Sequence, residues 1–444
     1  MNIDDIINSI DSNNLDIAFG RVVNISAVTL SAVGLDVAVG DIVRIESAQK
    51  LYTVLGMVTV LKDGLFVIVP FSFIDGFKIN DKVFLQRDGL TVKCGNGLLG
   101  RVVNALGDPI DDLGKIRDLD TNAPINKESM SPLDRGIIDK KFATGVKAID
   151  SMLTCGKGQK VGIFAGSGVG KSTLMGMIVQ GCEATIKVIA LVGERGREIP
   201  EFIHYNLNNN LENTVIVTAT SDESPLMRKY AAFTAMTIAE YFRDKGYDVL
   251  LMMDSVTRFA MAQREIGLST GEPPVSRGYP PSVFALLPQL MERAGNSKKG
   301  SITAFFTVLV DGDDLNDPIA DQSRSILDGH IVLTRDLTEQ GFYPPINILK
   351  SASRVIDKVV TKEHYNDFLK LKRVLSLIKE NEVLIRVGAY KKGMDLELDN
   401  AIAKKEKARE FLTQGSLEKY SFDDIIANLR KVLIWYHKIL QLID

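Results

Sequence analysis

Residues Val161–Thr173 read VGIFAGSGVGKST. The apolar run Val161-Gly162-Ile163-Phe164 predicts a buried parallel strand, and the LMGMIVQ that follows Thr173 predicts a helix. Strand, glycine-rich loop and helix, in that order, is the setting in which a backbone loop closes on phosphate. Gly166, Gly168 and Gly170 let main-chain N–H groups approach phosphate oxygens where a side chain would be in the way. The helix N-terminus adds partial positive charge. Lys171 has the reach for the β- and γ-phosphates, and the Ser172 hydroxyl suits Mg²⁺. The candidate binding segment is thus Ala165, Gly166, Ser167, Gly168, Val169, Gly170, Lys171, Ser172 and Thr173, with Ala165 standing where the first glycine of such loops is usual. A plain Gly/Ser turn would leave the Lys171-Ser172 pair unexplained.

Composition sets the outer bounds. The 444 residues suffice for two or three domains, and 45% apolar with 25% charged residues is the profile of a soluble globular chain. A net charge of −3 with no strongly basic segment argues against a duplex nucleic-acid binder. Cys94, Cys155 and Cys182 are scattered and odd in number, as in a reduced cytosolic protein. The leader MNIDDIINSIDSNN has no signal-peptide core, and no apolar run is long enough to span a bilayer.

Along the chain the pattern changes four times. Ile3, Ile6, Ile7 and Ile10 fall at helical spacing, which predicts a short amphipathic helix within residues 1–18, suited to its own domain or to docking a partner. From 19 to 95, seven short β-branched segments (FGRVVNI, VTLSAV, DIVRIES, LYTVLGMVTVL, GLFVIVP, DKVFLQ, LTVKC) predict a small β-barrel. Residues 96–135 read as a linker, rich in turns and prolines. Apolar strands then alternate with helical segments to residue 352: VGIFAG, KVIALVG, TVIVTAT, VLLMMD, ITAFFTVLV and HIVLTRD. That alternation predicts an α/β core with a parallel sheet covered on both faces, with ligands at the C-terminal strand ends. Residues 353–444 read as a helical C-terminal domain, with Trp435, Tyr436 and His437 packing in its last helix.

The chemistry-bearing residues fall at those strand ends. YDVLLMMD closes on Asp254, placed to hold a Mg²⁺ shell through water. KVIALVGERGRE ends on Glu194, a carboxylate for positioning and polarising an attacking water, with Arg195 beside it. Arg195 and Arg258 suit phosphate charge. In FYPPINILKSASR, Tyr343 offers a face for stacking adenine and Arg354 is a candidate arginine finger acting in trans. Asp311, Asp313, Asp314 and Asp317 form an acidic loop without EF-hand spacing, which reads as solvated or as a contact with a moving partner.

Taken together, these stretches resemble the ATP synthase alpha/beta superfamily of hexameric RecA-like ATPases. PPINILKSAS matches its signature P-x-[ILV]-[DN]-x-x-x-S-x-S, and AGSGVGKST, GERGRE and the Asp254 strand match too. Residues 254–295 and 310–333 are similar to the ATPases of type III protein export, and MAQREIGL with GYPPSVFALLPQL favours the flagellar group over the injectisome one. The resemblance covers roughly Phe19–Asp444. It implies a barrel, a RecA-like P-loop NTPase core and a helical C-terminal domain in a homohexamer, with ATP and Mg²⁺ between subunits. It implies Glu194 as the catalytic acid–base, Lys171 and Ser172 on phosphate and metal, Tyr343 at adenine, and Arg354 as the neighbour's finger. It further implies a dimeric regulator on the first helix and a coiled-coil stalk at the acidic loop. Export chaperones with their substrates and a membrane export gate complete the set, around a cytoplasmic enzyme peripheral to the inner membrane. The rival readings are a rotary ATP synthase catalytic subunit or injectisome-type ATPase, a non-catalytic ring subunit, and an RNA-translocating helicase. Glu194 weighs against the non-catalytic subunit. The sparse basic and aromatic residues of the barrel weigh against the helicase, leaving no nucleic-acid partner expected.

Overall fold

The structure, a computed structural model, describes residues 18–47, 52–310, 314 and 316–434. The expected first helix, most of the acidic loop, and Trp435, Tyr436 and His437 lie outside the described residues.

Six strands close the barrel in the order β1 (Gly20–Ile25), β2 (Leu30–Val33), β5 (Leu65–Pro70), β4 (Thr53–Lys62), β3 (Ile42–Glu46), β6 (Lys82–Gln86), with β6 returning to β1. Alternate residues point inward, so Val22, Leu30, Ile45, Val58, Ile68 and Val83 fill the interior. The seventh segment is not in the barrel. It forms β7 (Thr91–Cys94), which pairs antiparallel with β9 (Thr121–Pro124). Because β6 already closes on β1, no barrel edge is open to it, and Val92 and Cys94 bury instead in the apolar cluster of the core. The stretch 96–135 read as linker also contributes β8 (Val102–Val103), which adds a parallel edge to the main sheet.

A small hairpin-like pair, β10 (Lys141–Phe142) and β11 (Cys155–Gly156), leads into that sheet. Its remaining strands are β12 (Lys160–Ala165), β13 (Ile186–Glu194), β14 (Thr214–Thr220), β15 (Asp248–Asp254), β17 (Ser301–Leu309), β18 (Gly329–Val332) and β19 (Ala352–Ser353). The order across the sheet is β19-β18-β12-β17-β15-β13-β14-β8, with short β16 (Gly295–Asn296) paired to β17. All neighbours from β18 to β8 run parallel, and β19 and β16 are antiparallel additions. The central strands are apolar on both faces because both are covered. Along β13, Val188, Ala190 and Val192 pack toward helix Pro225–Asp244, whereas Ile189 and Leu191 pack toward helix Lys171–Gly181.

The barrel sits on the first of these faces. Ile42, Met57, Val69 and Phe71 join the same cluster as helix Pro225–Asp244, and the Ser224 hydroxyl that caps this helix donates to the Phe71 carbonyl at 2.9 Å. The C-terminal helices Lys362–Glu380, Leu396–Leu412 and Phe422–Ile434 pack on helix Lys147–Met152, and Phe368, Leu371 and Phe411 join the apolar cluster that also includes Leu174 and Ile178 of helix Lys171–Gly181.

Candidate active site

The sheet brings β12, β13 and β15 to one edge, and β12 passes directly into the glycine loop. Gly168 (φ +75°) and Gly170 (φ +97°) hold backbone angles that a side chain disfavours, and helix Lys171–Gly181 starts immediately after. The loop is fixed from its base. Val310 N–H donates to the Ala165 carbonyl at 3.1 Å, and Leu333 N–H to the Phe164 carbonyl at 2.9 Å. Arg335 donates to the Ser167 carbonyl and the Thr338 hydroxyl to the Val169 carbonyl, each at 3.4 Å. Val169 is buried, while Ser167, Gly168, Ser172 and Thr173 are exposed. The loop is therefore anchored by carbonyls and one apolar side chain, with its remaining surface open to a ligand.

Lys171 lies between two carboxylates. Its ammonium pairs with Asp254 Oδ1 at the end of β15 and stands 3.5 Å from Glu194 Oε1 at the end of β13. Burial alone would lower the Lys171 pKa, but Asp254 and Glu194 outweigh it and hold the ammonium above its ordinary value. Burial pushes the Glu194 carboxyl up to about 7, with Lys171 opposing and the Asp254 charge reinforcing the rise. Glu194 Oε1 is buried and makes no hydrogen bond of normal geometry, with Lys171 standing off at 3.5 Å. A buried carboxylate oxygen of this kind is free to accept from a water.

The local fold aims Glu194. Pairing between β13 and β14 slips between Val192 and Glu194, and Gly193 at the slip has φ +71°. A bulge at a strand end re-aims the next side chain. Arg258 packs on the same glycine, with its Nε buried and without a hydrogen-bond partner. Arg195 points to solvent, 67% exposed, and meets Glu198 at 3.8 Å, a weak surface pair.

Tyr343 is half-exposed beside the loop. Its carbonyl accepts from Gln414 N–H at 2.8 Å, and Pro345, two residues on, approaches Gly170. Arg354 is not brought to this cluster. It follows the edge strand β19, and its guanidinium donates to the Arg324 carbonyl at 3.2 Å. Of the acidic loop, Asp314 and Asp317 are described, and Arg277 bridges them at 3.3 and 3.7 Å.

Sequence reasoning missed Thr307, whose hydroxyl donates to Asp254 Oδ1 at 2.6 Å. It also missed Arg335 and Thr338 under the loop. Thr307 had a signal, the second of two hydroxyls in the apolar strand ITAFFTVLV and the one near its end. Arg335 and Thr338 had none, because only the tertiary fold sets them against the loop.

The chain and its fold are similar to known proteins. Residues 145–353 match the nucleotide-binding domain of the ATP synthase alpha/beta family, and residues 360–431 match the C-terminal domain of the type III secretion ATPase EscN. The chain is 57% identical to the flagellum-specific ATP synthase of Helicobacter pylori strain J99, over 94% of this chain and 95% of that protein. It is 47% identical to the flagellum-specific ATP synthase of Bacillus subtilis strain 168 (93% and 94%), and 43% identical to the type 3 secretion system ATPase of Xanthomonas euvesicatoria (93% and 94%). The solved structure of assembled EscN from enteropathogenic E. coli superposes with a TM-score of 0.89 at 45% identity, covering 93% of this chain and 99% of that one. A barrel, a RecA-like sheet with its glycine loop, a helical C-terminal region and these relatives lead to one conclusion: the chain belongs to the ATP synthase alpha/beta family, in its branch of flagellum-specific and type III secretion ATPases, and is an ATP-hydrolysing enzyme of flagellar protein export.

Proposed function

We propose that the site at the end of β12 binds Mg²⁺–ATP and hydrolyses it with groups from two copies of the chain. Residues Ala165–Thr173 enclose the phosphates, with Lys171 on the β- and γ-phosphates. The donors suited to magnesium are oxygens, the exposed Ser172 hydroxyl at the helix start and the buried Asp254 carboxylate acting through water. The metal, when bound, neutralises charge that develops on the transferred phosphoryl group. Glu194 orients a water and takes its proton as the water oxygen adds to the γ-phosphorus. The bond to the β–γ bridging oxygen breaks, and ADP and phosphate leave. Arg195 and Arg258 balance phosphate charge, and Tyr343 stacks on adenine.

The observation that carries this reading is the convergence of Lys171, Asp254 and Glu194 at the loop, with one Glu194 oxygen buried and unbonded. Lys171 pairs with Asp254 and faces Glu194. Phosphate would draw Lys171 off, leaving Asp254 to the metal and Glu194 to the water. Arg354 supports the two-copy site, since its guanidinium has no partner in the loop of its own chain.

By the same reading the enzyme is a homohexamer around a coiled-coil stalk, as EscN is assembled with its central stalk EscO in a relative at a TM-score of 0.86 and 44% identity. The acidic segment ending at Asp317 would face that stalk and the first helix would dock a dimeric regulator. Export chaperones would deliver substrates for a membrane gate, with the enzyme cytoplasmic and peripheral to the inner membrane. Among the described residues no helix is long and apolar enough to cross a membrane. The 57% identity to the Helicobacter pylori flagellum-specific relative, against 43% to the Xanthomonas secretion ATPase, supports the flagellar system over the injectisome.

The test is ATPase rate against protein concentration, paired with molar mass by light scattering in the presence of a non-hydrolysable ATP analogue. Specific activity that climbs steeply together with a six-subunit mass supports the shared site. Constant specific activity from a monomer rejects it.

A further inference from the structure

The strand carrying Asp254 is not next to the strand carrying the glycine loop. β17 lies between them, hydrogen-bonded to β12 on one side and to β15 on the other. In register, Thr307 of β17 stands opposite Ile163 of β12, and Phe306 opposite Met253 of β15. Thr307 therefore occupies the gap between the phosphate loop and the acid. It is wholly buried, and its hydroxyl donates to Asp254 Oδ1 at 2.6 Å.

The end of β17 is pinned on both sides. Val310 N–H is tied to the Ala165 carbonyl at the root of the glycine loop. Leu309 N–H donates to the Thr257 hydroxyl at 2.8 Å, at the start of the helix that follows Asp254. A hydroxyl on such a strand has little freedom to move away from its acceptor.

Asp254 Oδ1 has two donors, Lys171 and Thr307. They differ in kind. Lys171 sits on a long, flexible side chain that a bound phosphate competes for. Thr307 has a short β-branched side chain with a restricted χ1, and it is wholly buried. When Lys171 turns to phosphate, Thr307 is the donor left on Oδ1.

We infer that Thr307 is a positioning residue that keeps the Asp254 carboxylate aimed at the magnesium shell while Lys171 changes partners. The inference rests on the proposed role of Asp254. Partners that orient a metal-holding carboxylate from behind typically contribute 10- to 100-fold to metal affinity or activity. The effect belongs to the magnesium-linked part of nucleotide binding and not to the loop's own grip on phosphate.

The experiment uses the full chain and a fluorescent ATP analogue, titrated in EDTA and then across Mg²⁺ concentrations. The quantity read is the gain in nucleotide affinity that Mg²⁺ brings within each variant, so a general loss of stability cancels. Thr307→Val, which keeps shape and removes the hydroxyl, is expected to cut that gain by about tenfold or more while leaving the EDTA affinity unchanged. Thr307→Ser keeps the hydroxyl and should restore the gain. Thr307→Ala serves if the valine chain does not fold. A full magnesium gain in Thr307→Val or Thr307→Ala overturns the proposal. Asp254→Asn is measured in parallel: if it too keeps the full gain, the role of Asp254 itself has failed, and if it alone loses the gain, only the role of Thr307 has.

Discussion

Gly193 lies directly beneath the Arg258 side chain: a Cβ placed on Gly193 would stand 3.0 Å from Arg258 Cβ and 3.3 Å from its Cγ. The same glycine holds φ +71° at the strand slip that aims Glu194. One residue thus sets the positions of a carboxylate and an arginine at once.

Gly193→Ala is expected to harm catalysis more than folding. The disfavoured backbone angle costs about 1–2 kcal/mol of stability. Displacing Glu194 or Arg258 by about 1 Å costs on the order of 100-fold in rate. Thermal melts and kcat on the same preparation test this. A wild-type kcat would mean that neither side chain depends on the bulge.

Glu194→Gln should bind ATP and fail to turn it over, with kcat down by about 10²–10⁴-fold. Single-turnover hydrolysis alongside equilibrium nucleotide binding separates the two. Normal turnover would remove Glu194 from the role of base.

The pH dependence follows from the position of Glu194. Its carboxyl is raised from 4.5 to about 7 in the nucleotide-free chain, and the base must be ionised. The kcat/KM profile, which reports the free enzyme, should therefore rise through about pH 7 and fall toward tenfold per unit below it. Stability runs the other way. The folded chain holds the proton more tightly than the unfolded one, so the Glu194 contribution is full below pH 4.5 and is lost as pH rises through about 7. Glu194→Gln should flatten this part of the stability profile, and an unchanged melt-versus-pH curve in that variant would contradict the raised pKa.

Arg354→Ala should abolish hydrolysis and retain nucleotide binding. Mixed with Glu194→Gln chains it should regain activity, because some interfaces then pair an intact Arg354 with an intact Glu194. Mixing ratios that never restore activity would place Arg354 outside a shared site.

Away from the site, Arg293 is the largest fully buried side chain among the described residues. Its guanidinium grips both oxygens of buried Glu240 at 2.7 and 3.1 Å, and also donates to the Ile125 carbonyl and the Thr237 hydroxyl. Arg293→Ala leaves an uncompensated buried carboxylate and should cost about 3–5 kcal/mol, read as a lowered denaturation midpoint. A loss under about 1 kcal/mol would mean that water replaces the guanidinium.

Much of this was legible in the chain because the relevant signals are local. The run Val161–Phe164, the glycines and Lys171-Ser172 announce a strand, a loop and a helix through neighbours in sequence. The six apolar core strands were readable because each is a short apolar run, largely buried on both faces. What was not legible depends on distant partners. Thr91–Cys94 has a barrel-like pattern, yet its partner strand comes about thirty residues later, at Thr121–Pro124. Thr307 became a neighbour of Asp254 only through the strand order, which hydropathy does not encode. Gly193 could be read as the end of a strand but not as a bulge, since register belongs to a pair of strands and not to one.

The two faces of the main sheet belong to different ends of the molecule. The helix that begins at the glycine loop shares its apolar cluster with the C-terminal helices, while the barrel is joined to the opposite face. The fold is therefore mechanically lopsided. The C-terminal helices rest directly on helix Lys147–Met152, within the apolar cluster that also holds the helix of the glycine loop, so a displacement of that loop helix would be passed to them through close-packed side chains. Nucleotide-linked movement would thus have an apolar route to the C-terminal helices that does not cross the sheet, whereas the route to the barrel does.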